Sequence, residues 1–187
     1  MLAIMSCTRN VFARVFVLIS AATVFVSCQA PHSHDGDRAA DSVASPVLLN
    51  MDGFIGTWMN TDAFGQATEE VVSDFRYTAG GSAISETMFP GADHEMVTMY
   101  FASPDALYLT HYCGLGNHPN LVASMDAETG DLLFDCVGTG ANFGACPDTD
   151  HMHSVRYHME GDSLTASWKT MASGELTEPL VFSLKRK

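Results

Sequence analysis

The feature that most constrains the fold is a regular succession of strand-like segments and short turns between residues 53 and 185. Segments rich in Val, Thr, Tyr, Phe and Met alternate with turn sequences such as "AGG", "PGAD" and "DAETG". Most of these turns have hairpin length, so consecutive strands are expected to pair antiparallel. Strands are predicted near residues 53–60, 66–78, 82–89, 94–102, 106–113, 120–126, 131–138, 151–159, 163–171 and 178–185.

Ten strands in an open meander would leave two long unpaired edges, and closing the sheet into a barrel removes both. We therefore predict an all-β fold over residues 46–187, a closed antiparallel up-and-down barrel of about ten strands. A helical turn is expected only at 46–52, "PVLLNMD".

The chain begins with the features of an export signal. Arg9 and Arg14 form a basic N-terminal region, and an apolar run follows at residues 15–26. This run is shorter than the ~20 residues of a membrane span, but it is typical of a signal peptide. The "FVSC" that follows resembles a bacterial lipobox, in which Cys28 becomes the lipidated first residue. An ordinary cleaved signal is the alternative.

Residues 28–45 contain almost no large apolar side chains and are predicted to form a flexible tether behind Cys28. The expected organisation is a signal peptide at 1–27, this tether, and the barrel domain. The protein is thus predicted to be exported and anchored to a membrane as a lipoprotein. Gln29 points to the outer membrane, or its periplasmic face, if the host has two membranes.

The charge of the chain limits the class of partner that it can bind. The chain has 22 acidic and 9 basic residues, which argues against binding nucleic acid or an anionic membrane surface through charge. Contact with the membrane is therefore expected through the lipid anchor only.

Cys136 and Cys146 flank a Gly-rich loop that could bring them together, so we predict a disulfide between them, with Cys113 left free.

Several motifs resemble those of known barrels. "FIGTW", residues 54–58, resembles the opening of lipocalin-like barrels, in which the tryptophan, here Trp58, packs across the closed end. "YTAGGSAISETMFPG", "HEMVTMY" and "LTHYC" resemble a family of uncharacterised bacterial lipocalin-like proteins, often exported, over roughly residues 50–185. This resemblance implies the barrel and no established activity. A ten-stranded barrel of this size is also similar, at the level of the fold, to nitrobindin, which holds haem.

The turns further predict which residues face the barrel interior. The "PGAD" turn places Glu86 opposite Val97, and the next hairpin places Val97 opposite His111. The predicted inner face contains Ile84, Glu86, Met88, Glu95, Val97, Met99, Phe101, Leu107, Leu109, His111 and Cys113. The predicted outer face contains Tyr100, Tyr108, Thr110 and Tyr112.

The polar members of the inner face are expected to meet at one mouth of the barrel. His151 and His153 alternate with Met152 on a later strand, which puts both imidazoles on the side of Val155 and Tyr157. The predicted polar chamber consists of Glu86, Glu95, His111, Cys113, Cys136, His151 and His153. Aliphatic and aromatic side chains would fill the opposite end.

Three interpretations of this chamber stay open. It could be a hydrogen-bonded polar network. It could bind Zn²⁺, since imidazole, carboxylate and thiolate are zinc ligands, and such a site could support a metal-dependent enzyme. It could orient a small apolar or amphipathic ligand, haem included. The sequence contains no nucleophile elbow, phosphate loop or zinc-protease helix motif, and it leaves enzymatic activity undecided. The preferred prediction is a lipid-anchored binding barrel.

Overall fold

A computed structural model describes residues 48–104 and 106–187. The predicted signal peptide, the tether and the lipidation site Cys28 lie outside these residues. Within the described residues, no helix is both long enough and apolar enough to cross a membrane.

The fold consists almost entirely of β-strands, preceded by a 3₁₀ helix over Leu48–Phe54. The strands are β1 (Gly56–Thr61), β2 (Ala67–Thr78), β3 (Ala83–Met88), β4 (Met96–Ala102), β5 (Leu107–Tyr112), β6 (Pro119–Met125), β7 (Leu132–Thr139), β8 (Asn142–Phe143), β9 (His151–Glu160), β10 (Ser163–Ala172), β11 (Glu175–Leu176) and β12 (Leu180–Arg186). A second 3₁₀ turn covers Ala79–Gly81.

The ten long strands form a closed antiparallel barrel. Strands β1 to β7 pair in chain order, β7 pairs with β9, β9 with β10, β10 with β12, and β12 with β1. The two-residue strands β8 and β11 only extend β7 and β10. The predicted all-β, up-and-down barrel of about ten strands is confirmed, and the helical turn expected at 46–52 corresponds to the first 3₁₀ helix.

Apolar side chains close the end of the barrel next to this helix. Leu48 and Met51 are fully buried, and the ring of Phe54 packs 5.7 Å from that of Phe75. Trp58 is fully buried as well, and its indole N–H donates a hydrogen bond to the carbonyl oxygen of Phe54 at 2.7 Å. The tryptophan of the "FIGTW" motif therefore packs at the closed end.

Arg186, in the last strand, connects three parts of this closed end. Its guanidinium carbon lies 4.3 Å from the centre of the Trp58 ring. The same guanidinium donates hydrogen bonds to the carbonyl oxygens of Ile55 at 2.7 Å and Gly53 at 2.5 Å. A planar group with several N–H donors can stack and donate at the same time, which a lysine ammonium cannot do.

The register of β4 differs by one residue from the predicted register. Glu86 pairs with Thr98 instead of Val97, and His111 pairs with Thr98 as well. The cause is the β3–β4 connection, in which Phe89 turns out of the strand with a φ of 52° and pairing resumes only at Met96. The two one-residue errors cancel for β3 and β5, which keep their predicted inner faces.

The shift exchanges the two faces of β4. Thr98 and Tyr100 are fully buried inside the barrel, so the prediction that Tyr100 lies outside is wrong. Val97, Met99 and Phe101 are partly exposed, and the prediction that they line the interior is wrong for the same reason.

We expect Arg186→Lys to lower the free energy of unfolding by about 1–3 kcal/mol, because lysine cannot keep both carbonyl contacts and the stacking on Trp58. Urea denaturation measures the change. The matched control is Arg76→Lys, since the Arg76 side chain is 74% exposed and pairs with Asp74 at the surface. The control should change stability by less than about 0.5 kcal/mol. Equal effects of the two substitutions would contradict the role given to Arg186.

Candidate functional site

Glu86 is the centre of a hydrogen-bonded cluster inside the barrel. Its side chain is almost completely buried, and its carboxylate accepts hydrogen bonds from the Ser73 hydroxyl at 2.7 Å and the Tyr100 hydroxyl at 2.6 Å. The Tyr157 hydroxyl lies 2.8 Å from that of Tyr100. Because Tyr100 gives its only proton to Glu86, Tyr157 is the donor in this second bond. For this part of the interior, the polar-network interpretation describes the contacts.

Burial dominates the electrostatics of this cluster. It raises the pKa of Glu86 above its usual value, and the hydrogen bonds from Tyr100 and Ser73 offset part of that rise. Burial and the nearby carboxylate raise the pKa of Tyr100 and Tyr157 well above the ordinary range of a phenol. Both tyrosines therefore remain protonated donors over the whole physiological pH range.

His111 lies on the other side of Thr98 from Glu86. Its Nδ1 is 2.9 Å from the Thr98 hydroxyl oxygen, and its ring centre is 5.6 Å from that of Trp168. The side chain is 2% exposed, and burial lowers the pKa of His111 from 6.5 to about 4. The imidazole is consequently neutral at pH 7, with one N–H and one free lone pair.

The second ring nitrogen of His111 borders open space. Within the described residues Nε2 has no hydrogen-bond partner. The one fully buried side-chain polar atom without a partner there is Oδ1 of Asn117, so Nε2 is not fully buried. The imidazole also lines a cavity of about 400 Å³, which we call the mouth cavity. This cavity lies at the end of the barrel opposite Trp58, and its walls are formed by Met88, Phe89, His94, Met96, His111, Cys113, Met152, Trp168, Thr170, Leu180 and Phe182.

The mouth is therefore more apolar than predicted, and the carboxylate lies deeper. Glu86 pairs with Phe75 on one side and Thr98 on the other, one inward position below Met88. Glu95, predicted to face the chamber, is instead exposed in the β3–β4 loop, where it accepts a hydrogen bond from the backbone N–H of Gly91 at 2.7 Å. Its predicted position in the chamber followed from the predicted register of β4, which is wrong by one residue.

A second group of side chains lies at the ends of β7 and β9. Cys136 and Cys146 form a disulfide with Cα atoms 5.9 Å apart, and Cys113 is a free thiol in the cavity wall. His151 and His153 adjoin this disulfide, and their facing nitrogens, Nε2 and Nδ1, are 3.1 Å apart. We call Cys136, Cys146, His151 and His153 the Cys–His cluster, because one side-chain donor atom from each residue lies within 4.8 Å of the other three.

The predicted single chamber is thus divided. In β9, Ser154 pairs with Lys169 but Met152 pairs with Thr170, so the pairing skips His153 and the alternation of faces is interrupted. Met152, and neither histidine, lines the mouth cavity together with His111. Glu86 and His111 flank the same threonine, whereas His151 and His153 contact each other next to the disulfide.

Tyr100, Thr98 and Trp168 are site residues that sequence reasoning missed. The signal that could have found Tyr100 and Thr98 is the length of the β3–β4 connection, because counting seven unpaired residues instead of four turns both side chains inward. Alternation along β9 already indicated that Tyr157 faces inward, but no sequence signal places Tyr157 or Ser73 in the Glu86 cluster. Their roles depend on strands that come together only when the barrel closes.

The chain matches no protein-family model, and a search of curated proteins finds no significant match. An interpretation of its function therefore rests on the geometry of the barrel interior.

We expect His111→Phe to change how stability depends on pH. In the unfolded chain this histidine takes up a proton near pH 6.5, but in the folded protein only near pH 4. Its contribution to stability is therefore fully present above pH 6.5 and falls as the pH drops to 4, by about 3 kcal/mol in total. The variant should lack this part of the acid-dependent loss. The opposing contribution of buried Glu86 is common to both proteins and cancels in the difference.

Urea denaturation at several pH values between 7 and 4 measures this effect. His118→Phe is the control, since His118 is an exposed histidine outside the cavity walls, and it should follow the wild-type curve. A His111→Phe curve parallel to the wild type would show that His111 is not the group that titrates.

Proposed function

We propose that this protein is a binding barrel for a small apolar or amphipathic molecule, held in the mouth cavity. The single observation that carries the proposal is the cavity itself, about 400 Å³ of space with mostly apolar walls and one buried, neutral imidazole. Ligand sites in proteins typically have volumes of about 300–1,000 Å³ and combine apolar walls with a few fixed polar groups.

The walls suit a ligand with a flat or flexible apolar body. Met88, Met96 and Met152 are unbranched and polarisable, so they can adapt to ligands of different shape. Phe89 and Phe182 pack edge to face with ring centres 5.7 Å apart and supply rigid aromatic surface. Transfer of apolar ligand surface from water into these walls would provide most of the binding free energy.

His111 supplies the polar point of the site. Thr98 holds Nδ1, so the ring orientation is fixed and Nε2 is the nitrogen offered to a ligand. In the tautomer that donates Nδ1–H to Thr98, Nε2 accepts a hydrogen bond from a ligand hydroxyl or N–H, or coordinates a metal centre carried by the ligand; in the other tautomer, Nε2–H donates to a ligand oxygen. A neutral imidazole in apolar surroundings favours an uncharged ligand group over an anion or a cation.

Haem, which the distant similarity to nitrobindin suggests, is one amphipathic molecule of this class. His111 could provide its axial imidazole, and the open mouth would leave its carboxylates in water. A zinc site shared by Glu86 and His111 is less favoured, because the Glu86 carboxylate already accepts the hydrogen bonds of Ser73 and Tyr100.

The test is binding of the uncharged hydrophobic dye Nile red, and of haem, to the folded full chain. Thr170→Phe places a larger side chain in the cavity wall. It should weaken the affinity for whichever of the two probes the wild type binds at least about tenfold. Thr165→Phe is the matched control, because this threonine lies on the same strand and pairs with His158 on the outer face. Its affinity should equal that of the wild type.

Dye fluorescence gives the affinity for the dye, and a Soret band reports haem. Loss of haem binding in His111→Phe, with dye binding kept, would identify His111 as the axial ligand. Thr170→Phe and Thr165→Phe proteins with equal affinities, or a wild-type protein that binds neither probe, would contradict the proposal.

We also propose that Cys28 carries lipid and holds this barrel at a membrane. The "FVSC" motif and the apolar run before it support the proposal. Each CH₂ of a buried acyl chain contributes about 0.8 kcal/mol, so two chains anchor a protein stably. In an exporting host, Cys28→Ser should move the protein to the soluble fraction, whereas Cys113→Ser should leave it with the membranes. A Cys28→Ser protein that stays wholly with the membranes would exclude the anchor.

A further inference from the structure

We propose that the Cys–His cluster is a Cys₂His₂ zinc site when the disulfide between Cys136 and Cys146 is reduced. This site is separate from the mouth cavity, and its donor atoms are already gathered. One donor atom from each of Cys136, Cys146, His151 and His153 lies within 4.8 Å of the others. Two thiolates and two imidazoles are the donor set of a closed, tetrahedral zinc site.

The distances are close to those that zinc requires. With Zn–N bonds of about 2.0–2.1 Å and Zn–S bonds of about 2.3 Å, the donors of a tetrahedral site lie roughly 3.3–3.8 Å from one another. The facing nitrogens of His151 and His153 are 3.1 Å apart. The main change needed is separation of the two sulfur atoms, which are now joined covalently.

His151 is oriented as a metal ligand would be. Its Nδ1 lies 2.7 Å from the carbonyl oxygen of Thr149, which can only accept, so Nδ1 carries the proton and Nε2 carries the lone pair. Ligating histidines commonly donate their other N–H to a carbonyl group, which fixes the ring and its tautomer. The His151 side chain is 1% exposed, so the surrounding structure holds it in this position.

His153 needs only a change of tautomer. Because Nε2 of His151 is an acceptor, Nδ1 of His153 now donates the proton in the bond between the two rings. Zinc would take the place of that proton between the rings, and the proton would move through water to Nε2 of His153. This histidine is half-buried, so its outer nitrogen can exchange a proton with solvent.

The reductive step is a thiol–disulfide exchange with a dithiol. Two electrons and two protons pass from the dithiol to the sulfur atoms of Cys136 and Cys146, and the dithiol becomes a disulfide. Zinc then replaces the two thiol protons, which go to solvent, and forms two Zn–S bonds. While the disulfide remains, neither sulfur is a thiolate and the donor set is incomplete.

The exchange would keep the same loop closed in both redox states. The disulfide ties residue 136 to residue 146, and the metal would tie the same two residues together and to β9. Met152 lies between the two histidine ligands in the chain and lines the mouth cavity. Occupation of the cluster would therefore hold one wall of the cavity in place.

The experiment is a titration of the full chain with Co²⁺, in the presence and absence of a phosphine reductant and without oxygen. Co²⁺ takes the place of zinc and absorbs visible light strongly in tetrahedral sites, with an additional charge-transfer band when thiolates are ligands. We expect the reduced chain to bind one tetrahedral Co²⁺ with thiolate ligands, which added Zn²⁺ displaces. The oxidised chain should give neither band.

Four variants assign the site. Cys136→Ser should remove the tetrahedral, thiolate-ligated spectrum, and His153→Ala, at a half-buried position, should weaken Co²⁺ binding at least about tenfold. Cys113→Ser and His158→Asn change a cysteine and a histidine outside the cluster and should bind Co²⁺ as the wild type does. Far-UV circular dichroism shows which variants are folded.

Three results would overturn the proposal. One is a reduced wild-type chain without the tetrahedral spectrum. Another is an oxidised chain that binds Co²⁺ with the same spectrum and affinity. The third is loss of the charge-transfer band in Cys113→Ser together with its retention in Cys136→Ser.

Discussion

Pairing between the first and last strands is the constraint on which the rest of the molecule depends. Trp58 in β1 pairs with Arg186 in β12, and the Arg186 guanidinium stacks on the Trp58 ring. The Trp58 indole N–H in turn donates to Phe54, the last residue of the 3₁₀ helix that closes this end of the barrel. A barrel closed there has no free sheet edge among its long strands, and it encloses an interior that water reaches mainly from the other end. Every polar group inside must then find a partner within the barrel.

The interior meets that requirement in a graded way. Furthest from the mouth, the Glu86 carboxylate accepts hydrogen bonds from Ser73 and Tyr100, and burial raises its pKa. Two strands further, on β5, His111 has a partner for only one ring nitrogen, since Thr98 contacts Nδ1 and the imidazole borders the mouth cavity. A network that is complete at its base and open at its top suits the single polar contact that we propose for a ligand.

The interruption of β9 at His153 separates the mouth cavity from the Cys–His cluster, whose histidines were predicted to share one chamber with His111. Regular alternation would have turned both histidines to the side of Val155, toward the cavity. Instead Met152 takes that place, and the imidazoles lie against the disulfide. The cavity keeps its mostly apolar walls, and none of the four residues of the Cys–His cluster lines it.

The succession of strands and hairpin turns determined the ten-stranded barrel, because period-two patterns and turn residues are local properties that survive without knowledge of the partner strands. The inward positions of Glu86 and His111 also followed from the sequence, although two errors in the register cancelled. Only the tertiary structure decided that Tyr100 faces inward, that Glu95 lies in a loop, and that the histidines of β9 leave the chamber. These outcomes depend on a one-residue shift of register at the β3–β4 connection and on one skipped residue in the β9–β10 ladder. A shift of a single residue reverses every side chain beyond it, and no local pattern records such a shift.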